Sequence, residues 1–296
     1  MDIFEAIKNN NLARVEELLD SGVNINITNT LRETPLYVTC KYNNTDLVKL
    51  LLSRPDINPN IKNDIGWTPL YTACRNNYIE VVKLLLAHSE IDVNNKDNSG
   101  YTPLHTVCNF KYIEIVKLLL SHPNIDVNPK NTDNETLLYN ACRYENIEIV
   151  KLLLAHPNID VNFQGEYVDS ALHKACQLGF NSVVKLLLAH PKIDVNIKDE
   201  YSRITPLFIV CGSGDTRLVA LLLAHPKINV NIQSRLKETP LYRACISKHI
   251  EIVKLLLEQP SIKIDIKTFR LKHELVVSKK LKQNQSINKI LDSIES

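Results

Sequence analysis

The pattern of apolar and polar positions in this chain comes back again and again. In IEIVKLLLAH, residues 147–156, Ile147, Val150, Leu153 and Leu154 fall on one helical face. Glu148 and Lys151 fall on another, and the same acid–base spacing recurs at Glu80–Lys83, Glu114–Lys117 and Glu251–Lys254. Such i,i+3 pairs mark a solvated face and contribute ~0.2–0.5 kcal/mol each. The block before it, TLLYNACRYEN at 136–146, predicts a short helix opening at a Thr cap and broken at the Glu145-Asn146 corner. The block after it, NIDVNF at 158–163, is β-branched and turn-rich, so it reads as extended. One unit is therefore two short helices and a protruding turn.

The units keep a fixed beat. Cysteines stand at Cys40, Cys74, Cys108, Cys142, Cys176, Cys211 and Cys245, with steps of 34, 34, 34, 34, 35 and 34 residues. A period of this size signals a stacked repeat array. Six residues before each Cys comes Thr34, Thr68, Thr102, Thr136, Ser170, Thr205 or Thr239, and Pro follows at Pro35, Pro69, Pro103, Pro206 and Pro240. Thr-Pro reads as an N-cap with Pro in the first helical turn, where its missing N–H costs nothing. Pro55, Pro123, Pro157, Pro191, Pro226 and Pro260 share a second phase and read as stops after a helix. An asparagine ladder runs through Asn26, Asn60, Asn94, Asn128, Asn162, Asn196 and Asn231, with Asp265 on the next rung.

TPLY at Thr34 and Thr68, TPLH at Thr102, TPLF at Thr205, HKAC at His173 and YRAC at Tyr242 together resemble the ankyrin repeat pattern T-P-L-H-x-A. The resemblance implies an all-α repeat solenoid of stacked helix-turn-helix units with β-hairpin-like loops. It places repeats at 27–60, 61–94, 95–128, 129–162, 163–196, 197–231 and 232–265, after an N-terminal capping half-repeat at 1–26. A degenerate basic capping repeat is expected at 266–296, where Lys279 and Glu274 replace the Cys and Pro. There Ile287, Ile290 and Leu291 keep the second-helix phase. At the other end Ile7 takes the cysteine phase and Val15, Leu18 and Leu19 the packing phase. The family's Leu-Leu-x-x-Gly-Ala ending is replaced by Leu-Leu-Leu-Ala-His-Pro and its variants, and only Gly66 and Gly100 keep the hairpin glycine. The 35-residue step adds one residue in IKDEYSRI, which lengthens one hairpin tip.

Composition narrows the function classes. The chain has 296 residues, a formal net charge of +2, 44% hydrophobic residues and only 7 Gly. Near-neutral charge gives no general pull toward nucleic acid or anionic membrane. No apolar run approaches the ~20 residues of a membrane-spanning helix, and the start MDIFEAIKNN lacks the pattern of a secretory leader. Free cysteines then point to a reducing compartment, cytosol or nucleus. The Asn-, Ile- and Lys-rich composition leaves room for leaderless delivery into a host cell.

The Cys row invites a metal or redox site, but packed helices lie roughly 8–10 Å apart. That is beyond the ~7 Å Cα limit of a disulfide and the ~4 Å between sulfurs sharing a zinc. The expected role is a small buried residue between repeats. His88, His122, His156, His190 and His225 recur after the second helix, where hydrogen bonds to terminal carbonyls are expected. His105 and His173 stand in the TPLH phase, with a local hydrogen-bonding role. No Walker loop, HExxH, GxSxG or CxxC occurs, so no catalytic residue, cofactor or metal ligand is assigned.

What varies against the frame carries the function. By resemblance, partners of such arrays meet the hairpin tips and the exposed side of the first helix. Trp67, Tyr101, Tyr42, Phe110 and Tyr144, with Arg75 and Arg143 beside them, are expected to form a connected patch, because aromatics and Arg dominate binding hot spots. The Tyr37, Tyr71, Tyr139 and Tyr242 ladder and Tyr78, Tyr112 and Phe180 are expected to be packing residues. The expected function is non-catalytic recognition of another protein through a concave surface, by a chain expected to be monomeric, with nucleic acid not the expected partner. Two other readings stand beside it. One is nucleic-acid or anionic-membrane contact through Lys263, Lys267, Arg270, Lys272, Lys279, Lys280, Lys282 and Lys289. The other is a host-directed effector adaptor.

Overall fold

The computed structural model describes residues 2–165 and 169–264. The expected C-terminal cap, with its basic residues from Lys267 on, lies outside them. Among the described residues there are sixteen α-helices in pairs, and no strand beyond isolated bridge residues, Lys130 pairing with Thr136. The pairs are α1 (Ile3–Lys8) with α2 (Leu12–Asp20), α3 (Pro35–Lys41) with α4 (Thr45–Leu52), α5 (Pro69–Arg75) with α6 (Ile79–Leu86), and α7 (Pro103–Phe110) with α8 (Ile113–Leu120). They continue with α9 (Leu137–Arg143) and α10 (Ile147–Leu154), α11 (Ala171–Leu178) and α12 (Asn181–Leu188), α13 (Pro206–Ser213) and α14 (Thr216–Leu223), and α15 (Pro240–Ile246) and α16 (Ile250–Leu257). The chain separates into two compact units, residues 1–137 with 155–159 and 138–154 with the residues from 160 on. In the first, α1, α3, α5 and α7 stack in sequence, as do α2, α4, α6 and α8. In the second, α11, α13 and α15 form one stack and α10, α12, α14 and α16 the other. This is an all-α repeat solenoid.

The first helix of each pair is capped as its Thr-Pro start predicts. Thr34, Thr68, Thr102, Thr205 and Thr239 lie in extended backbone and accept the N–H three residues on, with Pro at the first turn. Ser170 does the same without the Pro. This helix is sandwiched between its neighbours, so α3 is buried from Pro35 to Cys40 and α5 from Pro69 to Cys74. The second helix buries a narrower stripe. In α10 it is Ile149, Val150 and Leu153, whereas Ile147 and Leu154, expected on that face, sit half-buried at its edges. The face that meets the stack is centred between i+2 and i+3 of the motif, and the helix is too short to turn both ends inward.

The loops depend on side-chain oxygens. Asn29, Asn63, Asp97 and Asn131 each accept, through Oδ1, the N–H groups two and four residues on, at 2.9–3.2 Å. Their own N–H closes the turn on the carbonyl four residues on. Asp199 spans the longer tip, holding the N–H of Tyr201, Ser202 and Ile204. At Gly66 (φ +83°) a Cβ would meet Asn98 Oδ1 at 2.5 Å, so glycine is required there by both backbone and neighbour.

The asparagine ladder joins one repeat to the next. Asn26, Asn60, Asn94, Asn162, Asn196 and Asn231 each donate from Nδ2 to a carbonyl about thirty residues on. Each accepts, at Oδ1, the N–H two residues beyond that carbonyl. Asn128 donates to the Asn158 carbonyl at 2.8 Å. An amide that donates and accepts at once stands in for a peptide group.

All seven cysteines are free and buried. Burial pushes the thiols of Cys40, Cys74, Cys142, Cys176 and Cys211 well above their ordinary range and that of Cys108 up to about 12. The His row departs from expectation. His88, His122, His156, His190 and His225 accept, at Nδ1, the N–H two residues on, at 3.2–3.3 Å, instead of bonding terminal carbonyls. The reason is geometric: each ring follows the helix and folds over the next turn, whose N–H groups have no helical acceptor. His105 caps α7 reciprocally, its N–H bonding Thr102 Oγ1 and its Nδ1 taking the Thr102 N–H at 3.1 Å.

Asn94→Ala, which removes two inter-repeat bonds, should cost about 1–3 kcal/mol in urea unfolding, while Leu→Ala-sized losses are not expected. A thiol reagent should leave the native cysteines unmodified and titrate all seven only with global unfolding; rapid labelling of most of them in the native state contradicts the burial. His105, held neutral and lowered to about 4 by burial and by Lys96, binds fewer protons folded than unfolded. Its contribution is therefore complete above about pH 6.5 and lost as pH falls toward about 4, on the order of 3 kcal/mol. His105→Gln should flatten the stability–pH curve across that window by a comparable amount.

Candidate functional site

In the first two repeats the residue that precedes the Thr cap follows the Asx-held turn and lies beside the last turn of its own first helix. In the Thr68 repeat these are Trp67 and Arg75. Trp67, half-buried, stacks on Tyr71 with ring centroids 5.1 Å apart, and the Arg75 guanidinium lies 4.8 Å from the Trp67 centroid. The same guanidinium is 5.4 Å from the ring of Phe110, the last residue of α7, and Phe110 stacks on Tyr112 at 5.5 Å. Arg75 thus joins two neighbouring repeats through their rings, a contact worth about 0.5–1 kcal/mol at an exposed site. Phe110 remains 46% exposed, and Tyr42, at the matching position after α3, 55%.

The preceding repeat fills the same two positions with Glu33 and Lys41. Lys41 Nζ donates to Glu33 Oε1 at 2.9 Å, and Asn29 Nδ2 donates to Glu33 Oε2 at 2.9 Å. The hydrogen bond to Glu33 raises the Lys41 pKa. An ion pair in one repeat is therefore replaced by a cation over aromatic rings in the next.

Tyr101 has a different place from the one its sequence position suggests. In the repeats before it, a tyrosine at the fourth position of the Thr-Pro motif reaches the next loop. Tyr37 Oη accepts from Asn63 Nδ2 at 3.1 Å, and Tyr71 Oη donates to Asp97 Oδ2 at 3.0 Å. The third repeat has His105 there, and its Nε2 is buried without a hydrogen-bond partner. Tyr101 supplies the hydroxyl instead, accepting from Asn131 Nδ2 at 3.3 Å while its ring meets His105 edge-on at 5.4 Å. Tyr101 is a link between repeats. Tyr144 and Arg143 belong to the second unit, where the Arg143 guanidinium lies 5.5 Å from the Tyr144 ring and Tyr144 is 61% exposed. Within the first unit Trp67, Arg75 and Phe110 cluster and Tyr42 shares their register, while Arg143 and Tyr144 pair within the second.

Sequence reasoning passed over the loop tips. Leu31 and Ile65, two residues after Asn29 and Asn63, are exposed, as are Tyr201 and Leu236 at the same offset in the second unit. The Asx position marks them, since the second residue of such a turn points away from the helices; the asparagine phase two residues back was the available signal. Tyr78, Tyr112 and Phe180 are half-buried N-caps of α6, α8 and α12 without a side-chain capping bond, in keeping with packing. Among the described residues no group of three or more His, Cys, Asp or Glu is placed to hold a metal ion, and no helix is long and apolar enough to cross a membrane.

Comparison with known proteins agrees with this architecture. The family model described as Ankyrin repeats (3 copies) matches residues 3–97, 56–131, 89–165, 126–199 and 172–268. No curated protein sequence matches the chain. Among solved structures, the chain is similar to the crystal structure of the ankyrin repeat domain of Bcl-3, described as a unique member of the IkappaB protein family. The two share 25% identity and a TM-score of 0.68, over 76% of this chain and 98% of that one. With matched windows running from residue 3 to residue 268 over the stacked, Thr-Pro-capped helix pairs, the chain belongs to the ankyrin repeat family.

Proposed function

We propose that the chain is a non-catalytic adaptor that captures a partner protein on the face formed by Tyr42, Trp67, Arg75 and Phe110, with the tips Leu31 and Ile65 at its border. An ankyrin repeat domain is a protein-interaction module, and the support for this particular face is local. Its frame positions are committed to packing: Tyr37 and Tyr71 to loop bonds, Cys40 and Cys74 to the core. What is left over is apolar and accessible. Half-buried Trp67 and exposed Phe110, gathered with an exposed arginine, match the composition of binding hot spots. The single observation that carries the reading is the Arg75 guanidinium between the rings of Trp67 and Phe110, an ordered and accessible aromatic-cationic surface.

Affinity purification from the native cellular extract, followed by binding measurements on the purified partner, tests this. Trp67→Ala with Phe110→Ala should weaken binding by roughly thirtyfold or more, with the helical circular dichroism unchanged. Tyr101→Phe should leave the affinity alone and lower stability by about 0.5–1.5 kcal/mol through the lost Asn131 bond. Unchanged affinity in the double variant removes the face from the binding surface.

A further inference from the structure

The charges of the face are lopsided. Over 33–43, 67–77 and 101–111, the first-helix segments of three consecutive repeats, the charged residues are Glu33, Lys41, Arg75 and Lys111. Glu33 and Lys41 neutralise each other at 2.9 Å, and the Glu33 side chain is only 8% exposed. Arg75 and Lys111 are both exposed, and their side chains make no hydrogen bond or ion pair with the described residues. At the first pair of positions the protein supplies its own carboxylate to the cation. At the second, Trp67 stands where that carboxylate would be, and the guanidinium is held only by rings. Contact with ring faces uses the charge of a guanidinium but leaves its N–H fork without an acceptor, and that fork matches a carboxylate in two parallel bonds.

We infer that the partner presents an acidic segment to this face. A side-chain carboxylate takes the Arg75 fork, a second acid faces Lys111, and a neighbouring apolar side chain lies against Phe110, with Tyr42 two repeats away open to another. Glu33 on Lys41 is the internal version of that contact. The inference rests on the reading of this face as a protein-binding surface and adds the chemistry of what it binds. A nucleic acid fits less well. Two cations are few for a phosphate chain, and the rings already stack within the face, Trp67 with Tyr71 and Arg75, and Phe110 with Tyr112 and Arg75.

Trp67 is the chain's single tryptophan, so its emission reports directly on the site. The test selects random linear peptides on the full chain and measures their binding by Trp67 emission, and by fluorescence anisotropy of the labelled peptide in every variant, including those that lack Trp67. The peptides that bind should carry Asp or Glu beside Leu, Ile or aromatic residues. Replacing the acids by their amides should weaken binding at least roughly tenfold, Arg75→Gln should do the same, and the amide peptide should lose little further on Arg75→Gln. The peptide-side change keeps the test valid if the Arg75 variant folds poorly. Selected peptides that lose binding with Trp67→Ala and Phe110→Ala yet carry no acid, or bind Arg75→Gln unchanged, overturn the acidic partner and leave the face standing. Peptides indifferent to Trp67→Ala with Phe110→Ala overturn the face itself. An emission change with single-stranded polyuridylate and none with any peptide overturns both in favour of nucleic acid.

Discussion

A helix of six to nine residues does not hold itself together in water, and every described helix of this chain is that short. Stacking is therefore a condition of secondary structure here and not a consequence of it. The arrangement answers that condition at two levels. The first helices are buried nearly all round by their neighbours, so their sequence is apolar on every side. The second helices cover only one flank and carry a narrow buried stripe with an Glu–Lys edge in water, as at Glu80–Lys83 and Glu251–Lys254. Between repeats the polar groups are matched as carefully as the apolar ones. The Asn ladder replaces missing peptide partners, and the Asx residues close each loop from within.

This division of labour explains which positions are available for function. A residue that completes a neighbour cannot change without costing the stack, and that removes the Thr caps, the cysteines, the ladder asparagines and most of the motif tyrosines from consideration. Tyr101 shows how strict the accounting is. Where His105 cannot deliver a hydroxyl to the next loop, the residue four positions earlier delivers it, and an aromatic that looked free is bound into the frame. The pair before the cap and after the cysteine is the converse case. Glu33 with Lys41 and Trp67 with Arg75 satisfy the same local geometry by opposite means. Because either pair is compatible with the stack, the choice between them is open to selection for a partner.

Much of this was legible in the order of residues. The 34-residue beat, the Thr-Pro caps, the corner at Glu145 and the burial of the cysteines all follow from local rules that repeat, and repetition lets weak local signals add up. The site was legible only as a set of aromatic and arginine positions. Which of them touch could not be read, because contacts such as Arg75 with Phe110 join residues on different helices and depend on the rotation and spacing of the stack. The His row was misjudged for a related reason: a histidine after a helix has carbonyls behind it and N–H groups ahead, and only the fold of the following turn decides which it meets.

The sequence by itself determined the repeat, the helix pairs, the caps and the identity of the core, since each is encoded within a few residues and echoed many times over. The tertiary structure decided what the echoes do to one another. It turned a row of asparagines into hydrogen bonds across thirty residues and drew Tyr101 out of the surface into the frame. It also set Arg75 between two rings with its donors free. The physical reason is range: capping and periodicity act within one turn of chain, whereas a binding surface is made by side chains that only packing brings within a few ångströms.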